Sequence, residues 1–159
     1  MKTLENFLLK NVACEDGFDF AKNLTLEQFL NTCDRGDWIL WLFAKINPNS
    51  LRELTLAKGH CANTVRHLMN DERSLEAVDV SIKFGEGKAT RKQLDFAAAN
   101  ASSAANAAYV VANAYAAANA AYVVAGDAGD ASASAYQVNQ KLTADICRQY
   151  LPLEIWDQF

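Results

Sequence analysis

The sequence predicts an all-α fold, a multi-helix bundle or stacked helical hairpins with a long Ala-rich helix near 91–125. Three observations carry that expectation. No stretch sustains the alternation of a half-buried strand, helix start signals recur along the chain, and alanine, the best helix former, crowds the segment between Ala97 and Ala135. With 159 residues, 51% hydrophobic, 21% charged and 2 prolines, the chain suits one domain over 1–159 and is too apolar for a disordered tail. Charged amphipathic helices fill 1–89 and an Ala-rich helical part fills 90–150.

The elements follow in order. A helix near 2–10 comes first, and its apolar stretch is interrupted by Glu5, Asn6 and Lys10, so it lacks the unbroken run of an export signal. This predicts a cytoplasmic protein. Three capping boxes then open helices near 26–33, 51–69 and 91–125: Thr25 with Gln28, Ser50 with Glu53, and Thr90 with Gln93. In each, a hydroxyl accepts from an orphan amide and the residue three positions on reciprocates. Gly36 permits the turn after Asp34 and Arg35, and Asp37 caps a helix over 37–46 that closes at Asn47-Pro48-Asn49. Asp71 caps the helix over 72–84, Gly85-Glu86-Gly87 ends it, and a last helix spans 131–150. Short turns between them favour antiparallel neighbours.

Apolar spacing supplies the expected core. Leu51, Leu54, Cys61, Val65 and Leu68 form one stripe, Leu75, Val78 and Ile82 another, and Trp38, Trp41 and Leu42 share a face of the 37–46 helix. The Ala-rich tract carries a short repeat, Asn106 to Ala112 recurring as Asn119 to Ala125, and no charge from Ala97 to Gly126. A straight helix over 91–125 would run about 50 Å, against a diameter of about 40 Å for a compact domain of this length. It therefore breaks, near Asn100-Ala101-Ser102-Ser103, or protrudes and is covered in a homodimer. Tyr109, Val111, Tyr115 and Tyr122 are the candidate self-association residues. The many Asn and Ser side chains in the tract argue against a membrane span.

Chemistry-bearing patterns are sparse. The net charge of -4 argues against a nucleic-acid binder, which needs a positive field at the phosphates. Cys14, Cys33, Cys61 and Cys147 form no C-x-x-C pair and read as free, mostly buried thiols. His60, Thr64 and His67 fall on one face, but the two imidazoles lie two turns apart and cannot chelate one ion as an i, i+4 pair does. No nucleophile elbow, phosphate loop or dinucleotide fingerprint is present, so the sequence points to no enzyme, cofactor or metal. Arg66, His67, Asp71, Glu72 and Arg73 gather around one turn, as a solvated network or a recognition patch.

Cys33-Asp34-Arg35-Gly36-Asp37-Trp38 with its continuation to Leu42, the segment Ala62 to Ser74 and the segment Phe84 to Thr90 resemble an alanine-rich immunity-protein family of bacteria and phages. The Ala-rich tract and Ala144-Asp145-Ile146-Cys147-Arg148 fit it as well. The resemblance covers about Thr25 to Leu151, and Gly126 and Gly129 depart from it, standing where relatives place alanine. It implies a protein that binds and neutralises a cognate toxin without catalysis, and it transfers no binding residue. Asp34, Asp37, Arg66, His67, Asp71, Glu72 and Arg73 are the partner-binding candidates, an acidic domain being suited to a basic partner. A self-associating scaffold and a helical protein that binds a small ligand are the alternatives.

Overall fold

The computed structural model describes residues 3–69, 71–102 and 130–157. They are all-helical: α1 Leu4–Lys10, α2 Glu15–Ala21, α3 Leu26–Thr32, α4 Gly36–Ile46, α5 Leu51–Asn63, α6 Glu72–Gly85, α7 Arg91–Ser102 and α8 Asp130–Tyr150, with 3-10 turns at Arg66–Leu68 and Leu153–Ile155. No strand occurs among the described residues, and none of their helices is long and apolar enough to cross a membrane. Tyr109, Val111, Tyr115, Tyr122 and the paired Asn repeats lie outside the described residues, as does any continuation of α7 beyond Ser102.

Several starts follow the expected chemistry. Thr25 and Gln28 form a reciprocal capping box on α3. Thr90 N–H donates to Gln93 Oε1 at 2.8 Å while Gln93 N–H returns to Thr90 Oγ1 at 3.3 Å, and Asp71 accepts from Arg73 N–H. The Ser50 box does not form. Ser50 sits at φ -88, ψ 54, outside the extended conformation that turns a cap side chain toward the first amides, and its N–H bonds Asn47 O instead. Asp37 is likewise not the cap of α4, which begins one residue earlier at Gly36. There a Cβ would lie 2.7 Å from the Thr143 carbonyl carbon, so glycine is what lets α4 press against α8.

Two further differences have local causes. The helix expected over 51–69 ends at Asn63, because Thr64 Oγ1 turns back to Cys61 O at 2.7 Å and Val65 leaves the helical region at φ -110, ψ 16. Helix α2 was not foreseen. Its leading residue, Cys14, gives no capping bond, and Gly17 sits inside its seven residues, so it carries neither of the usual helix signals.

Helices α4, α5 and α8 pack together at the centre, α6 lies on α5, and α7 lies on α6. Leu4, Leu8, Phe29 and Leu30 of α1 and α3 join Ile39, Leu42 and Phe43 of α4 and Cys147 and Leu151 of α8 in one apolar cluster. Trp156 seals its end, edge-on to Phe43 at 5.0 Å with its indole N–H on Leu151 O. A second, smaller cluster joins Ala62, Ala77, Val78, Ala97 and Ala101 across α5, α6 and α7. Of the expected stripes, Cys61, Val65 and Val78 are buried and Leu54 and Ile82 pack against the clusters, while Leu51 is exposed and Thr55, Ala57, Gly59 and Ala62 are further buried positions of α5. Glycine permits the close approach on both sides, Gly59 of α5 against Ile82 and Gly85 of α6 against Leu56.

Two arginines tie helix ends together. Arg148 of α8 donates to Leu30 O and Cys33 O at the end of α3, at 2.6 and 2.5 Å. Arg52 of α5 donates to Phe84 O at the end of α6 while its guanidinium covers the Phe84 ring at 4.6 Å. Both place a cation on the carbonyls that a helix leaves unpaired at its negative end.

Candidate functional site

Chemistry and shape converge on a cleft between the α1–α2 corner and α4. It encloses about 520 Å³ and is walled by Leu8, Ala13, Phe29 and Leu42, with Trp38 and Trp41 along α4 and Arg35 and Asp37 at its charged end. The tryptophans sit one turn apart, so both rings reach the same side of the helix. They are half-buried, with Leu42 beneath them in the core at 1% exposure. All three pack in or against the core as expected, and the two half-buried rings also form the cleft wall.

Arg35 and Asp37 hold each other bidentately, Nε to Oδ1 at 2.8 Å and Nη2 to Oδ2 at 2.7 Å. The guanidinium also lies over the Trp38 ring at 4.5 Å. Asp37, with its side chain only 6% exposed, thus has its charge answered where water cannot reach it. The pair fixes the rotamer of Trp38 and adds no net charge to the cleft.

The opposite rim is built by the end of α1. Val12 N–H bonds Leu9 O and Ala13 N–H bonds Leu8 O, the two reversed bonds of a Schellman ending, with Leu8 and Ala13 both on the cleft wall. The residue between them is ordinarily glycine, because it must adopt a left-handed backbone. Here it is Val12, at φ 55 and 86% exposed. A side chain in that region costs about 1–2 kcal/mol, and this one recovers almost none of it by burial. Beside it, Cys14 brings an exposed thiol to the wall, and Asp16, in the first turn of α2, brings a carboxylate.

The sequence candidates fall in two places. Asp37 lines the cleft and Asp34 lies exposed just before it. Arg66, His67, Asp71, Glu72 and Arg73 occupy the α5–α6 turn, where the charges pair locally: Arg66 with Asp79 of α6 at 2.7 Å, Arg73 with Asp71 at 2.7 Å. The Arg73 guanidinium lowers the Asp71 carboxyl below its usual range by direct hydrogen bonding. His67 belongs to the 3-10 turn and is exposed, so it does not continue the face of His60. His60 instead lies flat on Tyr150, centroids 4.1 Å apart.

The cysteines divide in the same way. Cys61 and Cys147 face each other at 3.9 Å between α5 and α8, and Cys147 reaches Gly36 O at 3.6 Å. Cys33 is buried at the end of α3, and burial pushes its thiol up to about 11. All three pack as small apolar groups, and burial keeps the Cys33 and Cys147 thiols protonated. Among the described residues no group of three or more His, Cys, Asp and Glu is placed to hold a metal ion. Leu8, Val12, Cys14, Asp16 and Trp41 are site residues that sequence reasoning missed. The one signal available was a helix ending at Asn11 with no glycine after it.

No family model matches the chain, and no curated protein or solved structure is significantly similar to it.

Proposed function

We propose that this chain is a non-catalytic protein-binding module that captures and neutralises a cognate bacterial toxin. The observation that carries the reading is the open, aromatic-walled cleft, rimmed by an exposed apolar residue held in an unfavourable backbone conformation. Apolar concavities with aromatic walls are what partner side chains anchor in. The net charge of -4 suits fast capture of a basic partner, and the resemblance of Cys33 to Leu42, Ala62 to Ser74 and Phe84 to Thr90 to alanine-rich immunity proteins supplies the biological setting. Co-expression with the toxin encoded beside its gene is expected to restore growth and to yield a complex of the two proteins. Growth arrest despite full expression, with no complex recovered, overturns the reading.

A second reading is favoured by the cleft volume alone. About 520 Å³ lies within the range of small-molecule sites, so a largely apolar ligand would fit. Mass spectrometry of the protein under gentle conditions would then show a constant added mass lost on denaturation.

A further inference from the structure

We propose that the cleft docks a basic segment of the partner protein, which sets a bulky apolar side chain against Trp38 and Trp41 and a lysine or arginine against Asp16. The inference rests on the protein-binding reading above and names the chemistry of what is bound.

Charge selects the cation. Arg35 and Asp37 satisfy each other, so the ion pair at the inner end is neutral to an incoming group. Asp16 and its neighbour Glu15 are exposed, and neither has an ion-pair partner among the described residues. Lys45 stands over the Trp41 ring at 6.0 Å, so cations sit on the α4 side and the uncompensated carboxylate of the lining is Asp16 on the α2 side, where it draws a positive group and repels an acidic one.

The apolar surface selects a chain over a small molecule. Val12 is 86% exposed at the rim, and Phe20, 39% exposed, leans on Trp38 with centroids 5.8 Å apart. A compound seated inside the concavity leaves Val12 in water, whereas a polypeptide crossing the mouth covers it. Covering Val12 also gives its exposed side chain a contact that it does not find among the described residues, where glycine would make the same turn without strain.

The probe is a phage-displayed random dodecapeptide library panned on the native protein, followed by synthesis of the enriched peptides. The enriched sequences are expected to join Trp, Phe or Leu to Lys or Arg, and Asp16→Lys is expected to weaken their binding about tenfold or more. Capping Cys14 with fluorescein maleimide fills the cleft without mutation, Cys33, Cys61 and Cys147 being buried, and is expected to abolish binding. Val12→Gly is expected to weaken binding while raising the melting temperature, a combination that misfolding does not produce. Peptides without a cation, peptides indifferent to both Asp16→Lys and Cys14 capping, or a cleft that takes tryptamine but no peptide would each overturn the proposal. Failure of the toxin to form a complex with native protein is a different result and removes the toxin reading alone. A toxin complex that survives Cys14 capping keeps that reading and removes the cleft.

Discussion

The two apolar clusters differ in the side chains that set them apart. Around α4 the core uses large side chains, Ile39, Leu42, Phe43 and Trp156, contributed by elements from both ends of the described chain. Between α5, α6 and α7 it uses Ala62, Ala77, Ala97 and Ala101, and at Gly59 a Cβ would lie 2.9 Å from Ile82. Large side chains hold helices apart, and where they do not interlock they leave a concavity such as the cleft beside Trp41. Small ones bring helix backbones together and leave no such room.

The comparison gives opposite signs for opposite substitutions. Phe43→Ala, which empties a fully buried site against Trp156, is expected to lose about 3–5 kcal/mol in denaturant unfolding. Ala77→Leu, which enlarges a seam residue of 1% exposure, is expected to lose about 1–3 kcal/mol by overpacking. If Ala77→Leu is neutral, the seam is looser than the close approach at Gly59 indicates. Arg148→Met keeps the stem of the side chain but strips Leu30 O and Cys33 O of their donors, and about 2 kcal/mol is expected to go with it. Equal stability of native and Arg148→Met protein would show that water replaces the guanidinium at the end of α3.

The smallest effect is one of pH. Burial lowers the pKa of His60 below its ordinary 6.5, opposed by the nearby Glu86 carboxylate. Folding therefore favours the neutral ring stacked on Tyr150. Its contribution is complete above pH 6.5 and declines as pH falls through 6.5 toward the lowered folded value, because the unfolded chain takes up the proton first. His60→Phe is expected to flatten that part of the stability profile, and an unchanged profile contradicts the assignment.

What could be read in advance follows from how local each feature is. The capping bonds of Thr25, Asp71 and Thr90 depend on neighbours within three residues, and they form as spacing predicts. Ser50 has the same spacing and fails, since the turn at Asn47 sets its backbone first. The stripe on α5 holds at Leu54, Cys61 and Val65 and fails at Leu51, because periodicity identifies a face without stating how far along the helix its neighbours reach. Trp38 and Trp41 were visible as a pair, but whether a tryptophan fills a core or walls a cleft depends on α1 and α2, which lie beyond α3 in the chain. The strain at Val12 needs φ, and no residue pattern reports φ. Of the recognition candidates, Asp37 lies on the cleft wall, while the charges around the α5–α6 turn pair among themselves and with Asp79.

Hydrogen–deuterium exchange of the protein with and without a library-selected peptide that joins an aromatic to a basic residue tests the assignment of recognition to the large-residue side. Slowed exchange over residues 8–17 and 35–42, with α6 unchanged, is the predicted result. Protection confined to α6 and α7 would place the interface on the small-residue side and contradict it.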